Sequence, residues 1–207
     1  MKITLSEWRD SQAHELEYWR DQYAQGNPEQ AARWFWYANV LFLDWFYSAS
    51  FIGLRLLDFG SGPQGVLHHI RHAARRVAVD PLMPEYRRIG YDVEGDGIIA
   101  LAAMPAELFD VVFCLNVLDH TANPFAVLTM LAGHIAPGGC MVFCVDLRTP
   151  EKRDACHKLN LTDEWMQAAA DAAGLEGRRE LKPHQGTNPT MQWCAILKRK
   201  GNDNGKA

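Results

Sequence analysis

Leu56-Leu57-Asp58-Phe59-Gly60-Ser61-Gly62-Pro63-Gln64-Gly65 is the stretch on which the fold turns. It reads as a short apolar strand, an acid placed before its last residue, and a glycine turn running into a helix at Val66–Ala74. Glycines leave backbone bare, and a helix N-terminus offers free N–H groups, so this arrangement points to a nucleotide-type cofactor.

Outward from this turn, short apolar strands alternate with helices. Strands are expected at Arg55–Phe59, Arg76–Val79, Tyr91–Glu94, Val111–Leu115 and Cys140–Val145. Helices are expected at Val66–Ala74, Pro84–Ile89, Pro124–Ile135 and Asp163–Ala173. The irregular segment 182–190 is too short for a crossover helix, so Leu175–Leu181 and Met191–Leu197 are expected to pair as an antiparallel hairpin. The class is α/β: a mostly parallel twisted sheet of about seven strands, helices on both faces and the hairpin at its end.

Upstream, Thr4-Leu5-Ser6-Glu7 has the form of a capping box, which opens a helix running to Gln25 before Gly26. Asn27-Pro28 opens a second helix in which Trp34, Tyr37, Leu41 and Trp45 share a face. The expected organisation is a helical lid at 1–52, a core at 53–200 and a disordered tail at 201–207.

The chain has 207 residues and a formal net charge of -4. Lys198-Arg199-Lys200 is its one basic run, so nucleic acid is not expected as a partner. Its five cysteines form no C-x-x-C pair, and four lie in apolar runs, which suggests buried thiols in a reducing, cytoplasmic setting and no metal site. Trp34–Leu54 approaches the length of a membrane span, but Asn39 and Asp44 interrupt it, so it reads as an aromatic helix packed on the domain.

Gly60-Ser61-Gly62-Pro63-Gln64-Gly65 also satisfies G-x-G-x-x-G, and Asp80 ends the next strand at the spacing of a ribose-binding acid in a dinucleotide site. Asp58 separates the two readings: a carboxylate beside the turn repels a diphosphate but attracts an ammonium group. Phe109-Asp110-Val111-Val112-Phe113-Cys114-Leu115-Asn116-Val117-Leu118-Asp119-His120 and Ala136-Pro137-Gly138-Gly139-Cys140 add further ordered motifs.

With these, the chain resembles the class I S-adenosylmethionine (SAM)-dependent methyltransferases from about Leu54 to Val145. The resemblance implies a Rossmann-like core, SAM as cofactor and S-adenosylhomocysteine as product. It implies that Gly60, Ser61 and Gly62 approach the cofactor's methionine and ribose, with Asp58 on the ammonium side, directly or through water. Asp80 would take the ribose hydroxyls, Pro81 and Leu82 would flank the adenine, and Asp96 and Gly97 would meet its edge. Leu115 and Asn116 would lie beside the sulfonium. Asp119 stands where the family often has Glu or His. Asp58, Asp80 and Asp96 are also residue types that cap turns.

Methyl transfer to a hydroxyl needs a general base. His120 is the first candidate, Asn116 could orient the acceptor, and His157 and His184 are weaker alternatives. Trp19 and Tyr23, near the end of the first helix, are candidates for the substrate-facing lid. The expected acceptor is a small molecule or a glycan. Two alternatives stay open: SAM chemistry that releases 5′-methylthioadenosine, and a non-catalytic SAM-binding role.

Overall fold

The computed structural model describes residues 1–26, 50–92, 107–149, 151, 154–183 and 190–201, together with the backbone of 96–98. Leu56, Leu57, Asp58 and Phe59 are all buried, because β1 (Arg55–Phe59) lies inside the sheet with neighbours on both edges. Leu57 sits level with Val77 of β2 (Arg75–Val79) and with Val112 of β4 (Phe109–Leu115), both parallel to β1. A parallel strand covered on both faces needs the near-continuous apolar run seen here.

The three-residue β3 (Asp96–Ile98) adds parallel to β2 at one edge. On the other side β5 (Ile135–Leu147) runs parallel to β4. Beyond it, β7 (Met191–Arg199) and β6 (Leu175–Pro183) form the expected antiparallel hairpin. The order β3-β2-β1-β4-β5-β7-β6 thus contains six strands of five residues or more and one short edge strand. Chain order reverses direction between β1 and β4, the point at which such sheets open a crevice beyond their carboxyl ends.

Side chains alternate between two apolar layers. Leu57, Val77, Val79, Val112 and Phe143 meet α3 (Pro124–Gly133) and α4 (Asp163–Ala172) through Leu128, Leu131, Met166 and Ala169. Leu56, Ala78, Val111, Phe113 and Val142 meet Val66, Leu67, Ile70 and Met83 on the opposite face. Met83 opens α2 (Met83–Ile89). Thr162 caps α4 by accepting from Trp165 N at 3.2 Å, and Asn123 caps α3 by accepting from Ala126 N at 3.3 Å.

The N-terminal α1 (Leu5–Ala24) starts at the expected capping box, Thr4 and Glu7 each bonding the other's backbone N–H. Trp19 fastens it to the core. This side chain is 3 % exposed, meets Tyr86 and Tyr91 edge to face, and its carbonyl accepts from Tyr91 Oη at 2.8 Å. Among the described residues no helix is long and apolar enough to cross a membrane.

Three elements differ from the sequence reading. Val66–Ala74 is not an α-helix; a single 3-10 turn covers Val66–His69. Its N-cap, Gly65, offers no side chain to cap the turn, and the Arg76 guanidinium reaches the carbonyl of Ile70, and that of Leu67 beside the Ile70 N–H, where a continuing helix would place its own N–H groups. The strand expected at Tyr91–Glu94 lies later, at Asp96–Ile98, since Tyr91 is committed to anchoring α1 and bonds back to the Tyr86 carbonyl. Helix α3 stops at Gly133, two residues short of Ile135, where β5 already begins. The second aromatic helix, with Trp34, Tyr37, Leu41 and Trp45, falls outside the described residues, as does His184.

Candidate functional site

Beyond the carboxyl ends of β1, β2 and β4 lies a cavity of about 1330 Å³, with α1 forming part of its wall. Single small-ligand pockets run roughly 300–1000 Å³, so this space suits a cofactor and an acceptor together.

The glycine turn forms one wall. Gly60 has φ 69°, and a β-carbon there would run into the Val117 side chain. Gly62 has φ 59°, and its N–H donates to Asp80 Oδ2 at 2.9 Å. Leu82 N–H donates to Asp80 Oδ1, also at 2.9 Å. Asp80 therefore ties the turn after β1 to the turn after β2. Burial pushes its carboxyl up to about 6; the two N–H donors oppose this, nearby Glu15 adds to it and His120 opposes it.

Asn116 ends β4 in a left-handed conformation, φ 56°, uncommon for a residue with a side chain. Its N–H donates to Cys144 O at 2.7 Å, while its buried Oδ1 has no hydrogen-bond partner among the described residues. A buried acceptor left open at a cavity wall suits a ligand donor.

His120 follows on the 3-10 turn Leu118–His120. Its Nδ1 lies 3.8 Å from Glu15 Oε2 and its Nε2 4.0 Å from Asp119 Oδ1, both too long for hydrogen bonds. The His157 ring packs against it at 4.3 Å between centroids. His157 Nδ1–H donates to Asp154 at 2.7 Å, and its Nε2 accepts from Arg148 Nη2 at 3.1 Å; this network selects the tautomer. Burial lowers its pKa, the charges of His120 and Arg148 lower it further, and Asp119 and Asp154 oppose them. Cys156 also lines the cavity, but burial, followed by Glu15 and Asp154, pushes its thiol up to about 11, so it is no thiolate near neutrality.

Of the residues expected from sequence, Gly60, Ser61, Gly62, Asp80, Pro81, Leu115, Asn116, His120 and Trp19 line this one cavity. His157, the weaker alternative base, lines it too. Leu82 contributes its backbone bond to Asp80 but does not line the cavity. Asp58 does not line it either: its Oδ2 accepts from Val66 N–H at 3.0 Å. With Ser61, Gly62 and Gly65 it borders a separate void of about 10 Å³, near the ~10–15 Å³ one water needs. Tyr23 stands outside the lining, half exposed, with its ring on Tyr91. Asp96 and Gly97 have a described backbone only, in β3.

Glu15, Asp146, Arg148 and Asp154 line the cavity without having been singled out from sequence. Asp146 accepts from Arg148 Nη2 at 3.0 Å and from Gln192 Nε2 at 2.9 Å. A recognisable signal was present in Asp146-Leu147-Arg148, an acid and a base at the carboxyl end of an apolar strand, the edge where such sheets bind ligands. Glu15 had none, being one of several exposed-looking acids on α1.

The glycine backbone, the buried carboxylate beside it and the open Asn116 oxygen fit a nucleoside cofactor such as SAM. A family model described as a methyltransferase domain matches residues 14–181. The ubiquinone biosynthesis O-methyltransferase of Cereibacter sphaeroides (strain KD131 / KCTC 12085) is 35% identical over 112 residues, 49% of this chain and 44% of that protein. The chain thus aligns with a little under half the length of that relative. The fold is shared with the DhpI–SAH complex (TM-score 0.63, 19% identity, 96% of this chain and 100% of that one). It is shared too with the N-methyltransferase NodS from Bradyrhizobium japonicum WM9, solved with S-adenosyl-L-homocysteine (TM-score 0.59, 18% identity, 83% and 88%). A domain-length match, borne by a glycine turn and an acid that the fold brings to one cavity, identifies the chain as a member of the SAM-dependent methyltransferase family.

Proposed function

We propose that this chain transfers the methyl group of SAM to a hydroxyl of a small, largely apolar acceptor, with His120 as general base. The observation that carries this reading is the position of His120. Its ring stands at the cavity wall with no hydrogen bond to either nitrogen among the described residues, and a carboxylate lies within 4.0 Å on each side.

SAM supplies an activated methyl group on sulfur, so the chain's own work is to hold, align, exclude water and move one proton. Gly60 and Gly62 let backbone approach the cofactor, Asp80 accepts its ribose hydroxyls, and Asn116 Oδ1 accepts a further donor. Asp58 acts through a water in the small void beside it. His120 takes the proton from the acceptor hydroxyl as its oxygen attacks, and Glu15 and Asp119 stabilise the imidazolium that results. Helix α1 serves as a lid, bringing Glu15, Trp8 and Trp19 to the wall.

Leu5, Trp8, Ala126, Val127 and Met130 form an apolar side to the cavity, which favours an aromatic or aliphatic acceptor over a glycan. Oxygen as the acceptor atom is supported by the O-methyltransferase name of the Cereibacter relative. The test is turnover with a panel of phenols and amines, followed as S-adenosylhomocysteine formation. Loss of kcat in His120→Ala by about 10²–10⁴-fold with phenols supports a base role. Unchanged kcat, or turnover confined to amines, would sink it. Release of 5′-methylthioadenosine without acceptor would point to different SAM chemistry.

A further inference from the structure

We propose that Asp119, His120 and His157 form a binding site for a divalent transition-metal ion of the zinc or cobalt kind. One ligand atom from each of the three lies within 4.8 Å of the others. Asp119 Oδ1 is 4.0 Å from His120 Nε2, and Asp119 Oδ2 is 3.8 Å from His157 Nε2. Zinc holds such ligands at about 2.0–2.1 Å, which sets tetrahedral neighbours roughly 3.3 Å apart. The two carboxylate–imidazole pairs need to close by about 0.5–0.7 Å, a change that side-chain rotation supplies.

The surroundings of the three residues point the same way. Asp119 is 1 % exposed, yet neither of its carboxylate oxygens accepts a hydrogen bond from any described residue. A buried carboxylate in that state calls for a cation close at hand. Both imidazoles turn Nε2 toward Asp119 and Nδ1 toward a different carboxylate. For His157 that partner is Asp154, at 2.7 Å, and for His120 it is Glu15, at 3.8 Å. A carboxylate hydrogen-bonded to the far ring nitrogen orients metal-binding histidines and raises their basicity; His157 has that bond, and Glu15 stands on the same side of His120 without forming one. One carboxylate and two imidazoles select zinc, cobalt, nickel or iron over magnesium or calcium.

Arg148 is the competing cation. Its Nε lies 3.7 Å from Asp119 Oδ2 and its Nη2 3.1 Å from His157 Nε2. It is not committed to Asp119, however: Nη2 also donates to Asp146 at 3.0 Å, and Nη1 is 3.8 Å from Asp154. Four carboxylates (Glu15, Asp119, Asp146 and Asp154) surround this one guanidinium and two imidazoles, so an added divalent charge is balanced. Metal and Arg148 therefore contend for Asp119 and for the Nε2 lone pair of His157, and removing the guanidinium should favour the metal.

His120 and His157 line the cavity while Asp119 lies behind them, so an ion among them has its open side toward the acceptor space. When the ion is bound, His120 is its ligand and no longer the base; an acceptor hydroxyl entering the open position would be acidified by the ion and give its proton to water. That consequence rests on the methyl-transfer reading; the binding claim does not, and it is read without turnover.

The experiment is a titration of the chelator-stripped chain of 207 residues with Co²⁺, followed by visible d–d absorption, with Zn²⁺ added last. The expected result is saturation at one equivalent, loss of the band on adding Zn²⁺, and at least about 100-fold weaker binding in Asp119→Asn. Arg148→Gln should bind about tenfold tighter, a gain that damage to the fold does not produce. S-adenosylhomocysteine binding measured on each variant reports that the core is intact. A folded protein with no cobalt band, an unchanged band in Asp119→Asn, or weaker binding in Arg148→Gln would each overturn the proposal.

Discussion

The N–H of Gly62 donates to Asp80 Oδ2 at 2.9 Å, so the second glycine of the turn is held by the acid that ends the neighbouring strand. Cofactor hydroxyls bind the ionised carboxylate best, and Asp80 titrates at about 6. The dissociation constant for S-adenosylhomocysteine is therefore expected to be flat above neutrality and to rise by up to about tenfold per unit as pH falls below 6. Calorimetry across a pH series checks this, and Asp80→Ala should weaken binding at every pH.

The same group gives the unliganded protein an unusual pH dependence. The folded value of about 6 exceeds the ordinary 3.8, so the native state holds this proton more tightly than the unfolded chain. The contribution of Asp80 is present at low pH and lost as pH rises through about 6. Asp80→Asn should remove that component, which appears as a smaller difference in Tm between about pH 5 and pH 7.5 than in the parent.

Asn116 separates conformation from ligand contact. Asn116→Gly suits φ 56° and removes the whole side chain, the unpartnered Oδ1 with it. It should leave Tm nearly unchanged while weakening cofactor binding severalfold. Asn116→Ala adds strain of about 1–2 kcal/mol from the left-handed backbone and should lower Tm as well. Thermal melts paired with calorimetry tell the two apart.

Trp19 fixes α1 to the core through Tyr86 and Tyr91. Trp19→Ala should cost about 3–5 kcal/mol where α1 docks. Amide exchange in residues 5–24 should accelerate while exchange in β1 and β4 stays slow. Equal acceleration throughout would mean that α1 belongs to the global folding unit and is not a separable lid.

Central elements were readable in the sequence because their physics is local. The run Arg55–Phe59 is apolar through its middle and ends in glycines, and α1 announces itself by Thr4 and Glu7. The failures came from long-range competition. Val66–Ala74 has helical composition, but Arg76 on the next strand claims its carbonyls. Tyr91 has a strand-forming side chain, but its hydroxyl is used on Trp19. Asp58 reads from sequence as holding the ammonium side directly or through water; its carboxylate accepts from Val66 N–H, a local partner created by the same turn, and stands outside the main cavity. Glu15, Arg148 and Asp154 join His120 only through tertiary packing, which no spacing along the chain encodes.

The measurement that bears most directly on this account is calorimetric titration of the folded protein with S-adenosylhomocysteine. The account predicts one equivalent bound by the parent protein and silence in Gly62→Arg, whose side chain would fill the cradle at the end of β1. Absence of binding heat at several temperatures from the folded parent, or undiminished binding in Gly62→Arg, would contradict it.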